Sequence, residues 1–329
     1  MLAARLIMDQ GVHVEGINFY TGFCVEGHTQ AIRATDKPKR NNALWVAEQL
    51  GIKLHIIDTS EPYKEVVINP KYGYGAQMNP CLDCKIFMLT HAKKFMDENG
   101  FDFIITGEVV GQRPMSQRSQ TMPLVAKQSG TEDLLVRPLC AKHLPPTLPE
   151  REGWLDREKL LDISGRSRKA QIELAERFNI DEYAQPAGGC CFLTDPNYTR
   201  KLQDLWQARG DKRYELDDIV LLKVGRHFRM QPYFKLIMAR EEGENNYLEG
   251  YKSQYTHVFS TSHTGPLALI DGVPEAKDFE DIARLLARYC RKLENVSGVK
   301  IMIAQKNQIL AELTVAPFEP DAIPQGWLL

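Results

Sequence analysis

The chain has 329 residues, 43% hydrophobic and 26% charged, which is the balance of a soluble globular protein with room for two domains of ordinary size. Its formal net charge of −2 neither demands a nucleic-acid partner nor excludes one, since a local basic face can bind phosphates on a near-neutral protein. No stretch approaches the roughly 20 apolar residues of a membrane helix, and no basic-then-apolar leader opens the chain. An odd count of seven cysteines therefore points to reduced thiols in a cytoplasm, not a disulfide framework.

Residues 1–10 predict a helix, with Leu2, Leu6 and Ile7 on one stripe and Gly11 as its stop. No capping residue precedes it, and an α-amino group there faces the positive end of the helix dipole. Residues 12–20 (VHVEGINFY) predict a strand, 42–50 a helix stopped by Gly51, and 53–58 a second strand. A helix over 84–98 ends at Asn99-Gly100, and short buried strands follow at 103–106 and 134–139. Strands alternating with helices of this length indicate βαβ units and a Rossmann-like parallel sheet. Ligands in such sheets sit beyond the carboxyl ends of the strands. That rule places residues 20–23, Thr59-Ser60, Thr106-Gly107-Glu108 and the segment after Leu139 on the functional rim.

Residues 142–152 are proline-rich and predict an ordered loop; a helix follows over 168–178. A boundary near 195 divides the chain into domains 1–195 and 196–329. In the second, helices are expected at 198–208 and 278–291. Strands are expected at 219–224, 235–240, 256–260, 266–270, 300–304 and 309–315. The second domain is thus a smaller α/β or α+β unit, without a cysteine cluster or a glycine-rich phosphate loop.

The chemistry concentrates in Asn79-Pro80-Cys81-Leu82-Asp83-Cys84-Lys85 and, about a hundred residues later, Gly188-Gly189-Cys190-Cys191. A CxxC pair at a helix start lies where backbone amides favour the thiolate. The pair alone also fits a zinc staple or two inert buried thiols. Zinc wants a fourth ligand, and neither Cys191 nor His91 is obviously placed to supply it. Three thiolates without a clear fourth suit a 4Fe–4S cluster with one open iron.

Other segments are weaker signals. Gly107 after a strand is usually only a turn, yet nucleotides meet backbone amides at such places. Gly111-Gln112-Arg113-Pro114-Met115-Ser116-Gln117 puts a cation and two amides on the same rim, a composition suited to a polyanion. Basic clusters occur at residues 33–40 and at Arg166, Arg168 and Lys169; either can be a solvated surface. Gly225-Arg226-His227-Phe228-Arg229 predicts a turn leading into a strand, and His227 has no visible carboxylate partner for catalysis.

Together, NPCLDCK, FDFIITGE with VVGQRPMSQ, GRSRKAQIELAERF and PAGGCC resemble the PP-loop tRNA thiolation enzymes. These are the tRNA 2-thiouridylases and 4-thiouridine synthetases of the adenine nucleotide alpha-hydrolase superfamily. The resemblance covers residues 1–195; the remainder resembles an NFACT-R-like, RNA-binding-associated module.

The resemblance implies that ATP, with Mg, adenylates a uracil carbonyl of tRNA and that sulfur then displaces AMP. Tyr20, Thr106, Gly107 and Arg113 fall where ATP is expected. Cys84 and Cys190 match the catalytic pair of the persulfide branch. Cys81, Cys84 and Cys190 match the cluster ligands of the other branch, which the presence of Cys81 favours; Cys191 has no counterpart. Arg166, Arg168 and Lys169, beside the loop that carries Cys190, are the expected tRNA contacts. The sulfur donor and a homodimer stay open.

One departure stands out. The family's SGGxDS loop and the central strand before it are missing, which leaves a gap between residues 14–20 and 103–106. The expectation is a start at an internal methionine. If Met1 is the true start, the alternative is a non-catalytic iron–sulfur or zinc RNA-binding protein. A PP-loop sulfurtransferase acting on a small molecule is the third reading.

Overall fold

The computed structural model describes residues 1–25, 41–183, 191–291 and 298–329. The chain divides into two units, Met1–Thr21 with Arg40–Cys190 and Gly22–Lys39 with Cys191–Leu329.

The first unit opens with α1 (Leu2–Met8) and β1 (Gly16–Tyr20). Next come α2 (Asn42–Leu50), β2 (Leu54–Asp58) and α3 (Tyr63–Ile68). The 19-residue α4 (Cys81–Asn99) leads to β3 (Ile104–Ile105), α5 (Thr121–Gln128) and β4 (Leu135–Val136). A short α6 (Leu148–Arg151) and α7 (Lys169–Arg177) complete it. The α2 and α4 helices stop where the glycines foretold: Gly51 and Gly100 adopt φ of 64° and 70°, a left-handed cap that costs a Cβ-bearing residue more.

The strands form two separate parallel pairs. Gly16 faces Leu54 through Tyr20 facing Asp58 in one, and Ile104 faces Leu135 and Ile105 faces Val136 in the other. The expected gap is present. A cavity of about 320 Å³ is lined by Ile17 and Phe19 of β1, by Ile104 and Ile105 of β3, and by Leu89 and Met96 of α4. No strand of the described residues lies between the two pairs. Helix α1 packs Ile7 against Val136, Leu155 and Leu160. On the other side, α4 packs Leu82 and Leu89 against Val125 and Leu135.

Helix α4 begins three residues earlier than 84–98 predicts, so both cysteines lie in its first turn. The Cys84 amide donates to the Pro80 carbonyl at 2.8 Å and closes that turn. Proline sits readily at a helix start, where an amide would have no partner inside the helix. Helices α3, α5 and α6 were not foreseen. They are short, and packing supports them more than propensity does.

The second unit contains α8 (Pro196–Arg209), α9 (Leu216–Leu221), β5 (Arg226–Gln231), β6 (Phe234–Met238) and α10 (Glu242–Glu249). It continues with β7 (Thr256–Ser260), β8 (Ala268–Gly272), α11 (Phe279–Arg288), β9 (Val299–Gln305) and β10 (Gln308–Val315). These strands make one antiparallel six-stranded sheet in the order β10-β9-β7-β8-β6-β5. Ile282, Leu285 and Leu286 of α11 share its core with Phe234, Leu236, Val258 and Ile301.

Two readings of this unit are corrected. Residues 219–224, expected as a strand, are the end of helix α9, through Leu221, and the turn that follows it. In residues 225–229, expected as a turn leading into a strand, the strand begins at Arg226: His227, Phe228 and Met230 are buried while Arg226 and Arg229 are partly exposed.

Candidate functional site

The CxxC turn is fixed by its inner residue. Asp83 Oδ1 accepts the Lys71 amide and Oδ2 the Tyr72 amide, each at 3.0 Å, which pins the preceding loop against the helix start. Cys81 and Cys84, half-buried, lie three positions apart and therefore on one face. The Cys81 thiol reaches the Ser116 hydroxyl at 3.7 Å, so the 111–117 loop lies directly beside the thiols.

That loop holds the rim together. The Gly111 amide donates to the Gln117 carbonyl at 2.6 Å, and the Gly165 amide to the Val110 carbonyl at 2.8 Å. Gln112 Nε2 donates to Gln171 Oε1 at 2.7 Å. The CxxC turn, the Arg113 loop and the basic segment before α7 thus form one continuous border. Arg113 and Arg166 are exposed on it, as is Lys169, which faces Glu173 at 3.8 Å; Arg168 is half-buried.

At the end of β3, the Thr106 amide donates to the Val136 carbonyl at 3.1 Å, and its hydroxyl donates to Glu108 Oε2 at 3.0 Å. Gly107 is exposed, and a Cβ built on it would meet nothing within 4 Å. The carbonyl of Tyr20, at the end of β1, accepts the Thr59 amide at 2.8 Å and its hydroxyl at 3.0 Å. Phe19 and Thr106 both line the cavity between the strand pairs.

Beneath the rim lies a charge cluster that the sequence reading missed. Buried Glu108 meets Arg137 Nε at 3.1 Å and Lys85 Nζ at 3.5 Å. Burial pushes its carboxyl upward, but the two cations and the Thr106 hydroxyl prevail and hold it below the usual carboxylate range. The available signal was Lys85 directly after Cys84 and Glu108 at a strand end, since a buried carboxylate needs a cation. Cys140, also not singled out, donates its thiol to the Glu108 carbonyl at 3.3 Å. Burial raises its pKa.

Cys190 and the basic cluster at 33–40 lie outside the described residues. Cys191 belongs to the second unit, where its backbone forms an isolated antiparallel β-bridge with that of Cys24. Among the described residues no group of three or more Cys, His, Asp or Glu side chains gathers as a metal site. Nor is any described helix long and apolar enough to cross a membrane. His227 is fully buried, with Nε2 3.0 Å from the Val224 carbonyl. Burial, with Lys201 and Lys235 nearby, holds its pKa well below the usual value.

Residues 1–132 match the family described as the tRNA methyl transferase HUP domain, and residues 225–328 the NFACT protein RNA binding domain. Among curated proteins, the tRNA-specific 2-thiouridylase MnmA of Pelobacter propionicus is 30% identical over 238 residues, 69% of this chain and 60% of that protein. The MnmA proteins of Campylobacter curvus and Nitratiruptor sp. are 30% and 31% identical, over 33% and 32% of this chain and 31% and 30% of their own lengths. The chain thus spans at most 60% of these relatives. A solved structure of the C-terminal part of the fibronectin/fibrinogen-binding protein from Streptococcus suis is 12% identical, covering 73% of this chain and 88% of that one. Its TM-score of 0.25 is too low to bear on the fold. The motif resemblance and these matches agree: the first part of the chain is similar to the HUP domain and to the tRNA 2-thiouridylases, and the last part is similar to the NFACT protein RNA binding domain.

Proposed function

We propose that this chain carries out ATP-dependent thiolation of a tRNA uridine in the cytoplasm. In this reaction the uracil carbonyl oxygen attacks the α-phosphate of ATP, pyrophosphate leaves, and a sulfur nucleophile displaces AMP from the activated carbon. The observation that carries the reading is the seating of Cys81 beside Ser116, which puts the CxxC turn on the same rim as Arg113. Residues 1–195 supply the chemistry and residues 196–329 serve as the RNA-binding module.

Residues 1–195 carry no SGGxDS loop, so the donors they offer supply only part of an ATP site. Open space over Gly107 and the exposed guanidinium of Arg113 suit the phosphates of ATP and its Mg, with Tyr20 and Thr106 on the flanking strand ends. Two half-buried thiols on one helical face suit a soft metal. In this reading Cys81 and Cys84, with Cys190 as the third ligand, would hold a 4Fe–4S cluster, which would supply a binding place for sulfide. Cys84 and Cys190 are the catalytic pair in this reading, and Arg166, Arg168 and Lys169 hold the tRNA phosphates. The sulfur donor is left unassigned, and a homodimer is compatible with this scheme.

The test is anaerobic reconstitution with iron and sulfide, followed by incubation with tRNA, ATP, Mg and sulfide and mass analysis of the digested nucleosides. Thiouridine that forms only when ATP is present supports the proposal. A protein that binds iron and tRNA yet yields none supports the second reading, a non-catalytic iron–sulfur RNA-binding protein, which the NFACT match favours.

A further inference from the structure

The second unit holds a polar cavity of about 450 Å³ that belongs to none of the chemistry above. Arg226, at the start of β5, Arg291, after α11, and Tyr289 line it, with Asn245 of α10 and Thr264 between them. Its walls are set by two glycines. A Cβ on Gly225, which has φ +68°, would meet the Met238 carbonyl oxygen at 2.3 Å, and one on Gly265 would meet Cys290 Sγ at 2.5 Å. Only residues without a side chain let β5 begin against β6 and let the Thr264 loop close on the end of α11. There the Arg291 amide donates to the Thr264 carbonyl at 2.8 Å.

The guanidinia differ in what they already hold. Arg240 is committed to buried Glu244, with Nη2 to Oε1 at 2.6 Å, and Glu244 also accepts the Gly225 amide at 3.1 Å. Arg226 instead lies over the Tyr289 ring, 4.9 Å from its centroid. Among the described residues no carboxylate lies within ion-pairing distance of Arg226 or Arg291. The exposed Glu241 and Glu242 also line the cavity. They oppose a highly charged ligand and leave room for a singly charged one. A guanidinium held over an aromatic ring offers both a fork for a phosphodiester and a face for a base.

We infer that this cavity is a subsite for one nucleotide of single-stranded RNA, its phosphodiester held by Arg226 and Arg291 and its base stacked on the Arg226–Tyr289 layer. The inference rests on the reading of this chain as acting on tRNA. It adds which part of the RNA-binding module grips an unpaired nucleotide.

Binding of a fluorescent single-stranded octaribonucleotide, and of tRNA, to the full chain at several salt concentrations tests it. Arg291→Ala should weaken octamer binding roughly tenfold and reduce the slope of log K against log salt by about 0.7. Arg226→Lys should keep the slope and lose a similar factor, because lysine keeps the charge without the stacking plane. Far-ultraviolet circular dichroism of each variant confirms folding. Wild-type affinity in both variants overturns the inference while leaving the thiolation reading intact if tRNA is still bound and thiolated. Failure of the wild type to bind either RNA overturns both. Displacement of the octamer by millimolar inorganic phosphate shows an ion site in place of an RNA subsite and also overturns it.

Discussion

Arg137 Nε lies 3.1 Å from Glu108 Oε2, and both side chains are almost wholly buried. Lys85 reaches the other oxygen of the carboxylate, so this ion cluster ties the helix that carries Cys84 to the strand end that carries Thr106 and Gly107. A buried charge that loses its partner is costly. Glu108→Gln should therefore destabilise the first unit by about 3–5 kcal/mol in urea unfolding, and Glu108→Gln with Arg137→Met should cost less than the sum of the two. The carboxyl is held low in the folded state, so its contribution is full above the unfolded value of about 4.3 and is lost as pH falls through the folded one. Acid unfolding of the wild type should be steeper below about pH 4 than that of Glu108→Gln.

Gly107 offers a sharper test of the nucleotide site. A Cβ there meets no atom within 4 Å and no positive φ demands glycine. Gly107→Val should leave the thermal midpoint nearly unchanged and weaken ATP binding by tenfold or more in calorimetry, on the order of 1.4 kcal/mol. Unaltered ATP affinity would place the nucleotide elsewhere.

For the thiols, protein prepared without oxygen should carry iron and acid-labile sulfide with a brown chromophore. Cys81→Ala, Cys84→Ala and Cys190→Ala should each abolish the colour, whereas Cys191→Ala should keep most of it. Stoichiometric zinc without iron rules the cluster out.

The basic segment before α7 is tested by salt. If Arg166, Arg168 and Lys169 touch tRNA phosphates, each contact removed in the triple Ala variant should flatten log K against log salt by roughly 0.7–0.9. An unchanged slope means that this border carries no phosphate.

Alkaline pH reports on the second unit. Burial lowers the ammonium groups of Lys201 and Lys223 to about 8. Between pH 8 and 10 the unfolded chain keeps protons that the folded chain has lost, so stability should rise across that interval, by up to about 3 kcal/mol per lysine. Above pH 10 the sign reverses. Tyr255 is pushed up to about 12 by burial and nearby Asp271, and burial raises Tyr251 further, so both stay protonated in the folded state while the unfolded tyrosines ionise. Urea midpoints measured from pH 7 to 11 should pass through a maximum near 10.

Much of the first unit was legible residue by residue. Gly51 and Gly100 end helices because glycine takes the left-handed cap at least cost, and the alternation of strand and helix foretold parallel pairing because βαβ connections leave little else. The second unit shows where such reading fails. Residues 219–224 are apolar but for Lys223, and a short run of that kind has no period that separates strand from buried helix. The signal that could have decided it was the reciprocal cap of Glu215 and Asp218.

By itself the sequence determined the chemistry on offer: two thiols at a helix start, a glycine and a glutamate at a strand end, an arginine-bearing loop, and a resemblance to tRNA thiolation enzymes. Only the tertiary structure decided which of these meet. Ser116 lies 35 positions from Cys81, Arg137 lies 29 from Glu108, and no local propensity links residues so far apart. Their approach follows from packing α4 against β3 and β4. Burial of Glu108 then makes its pairing obligatory, because a carboxylate removed from water must find a cation or give up its charge.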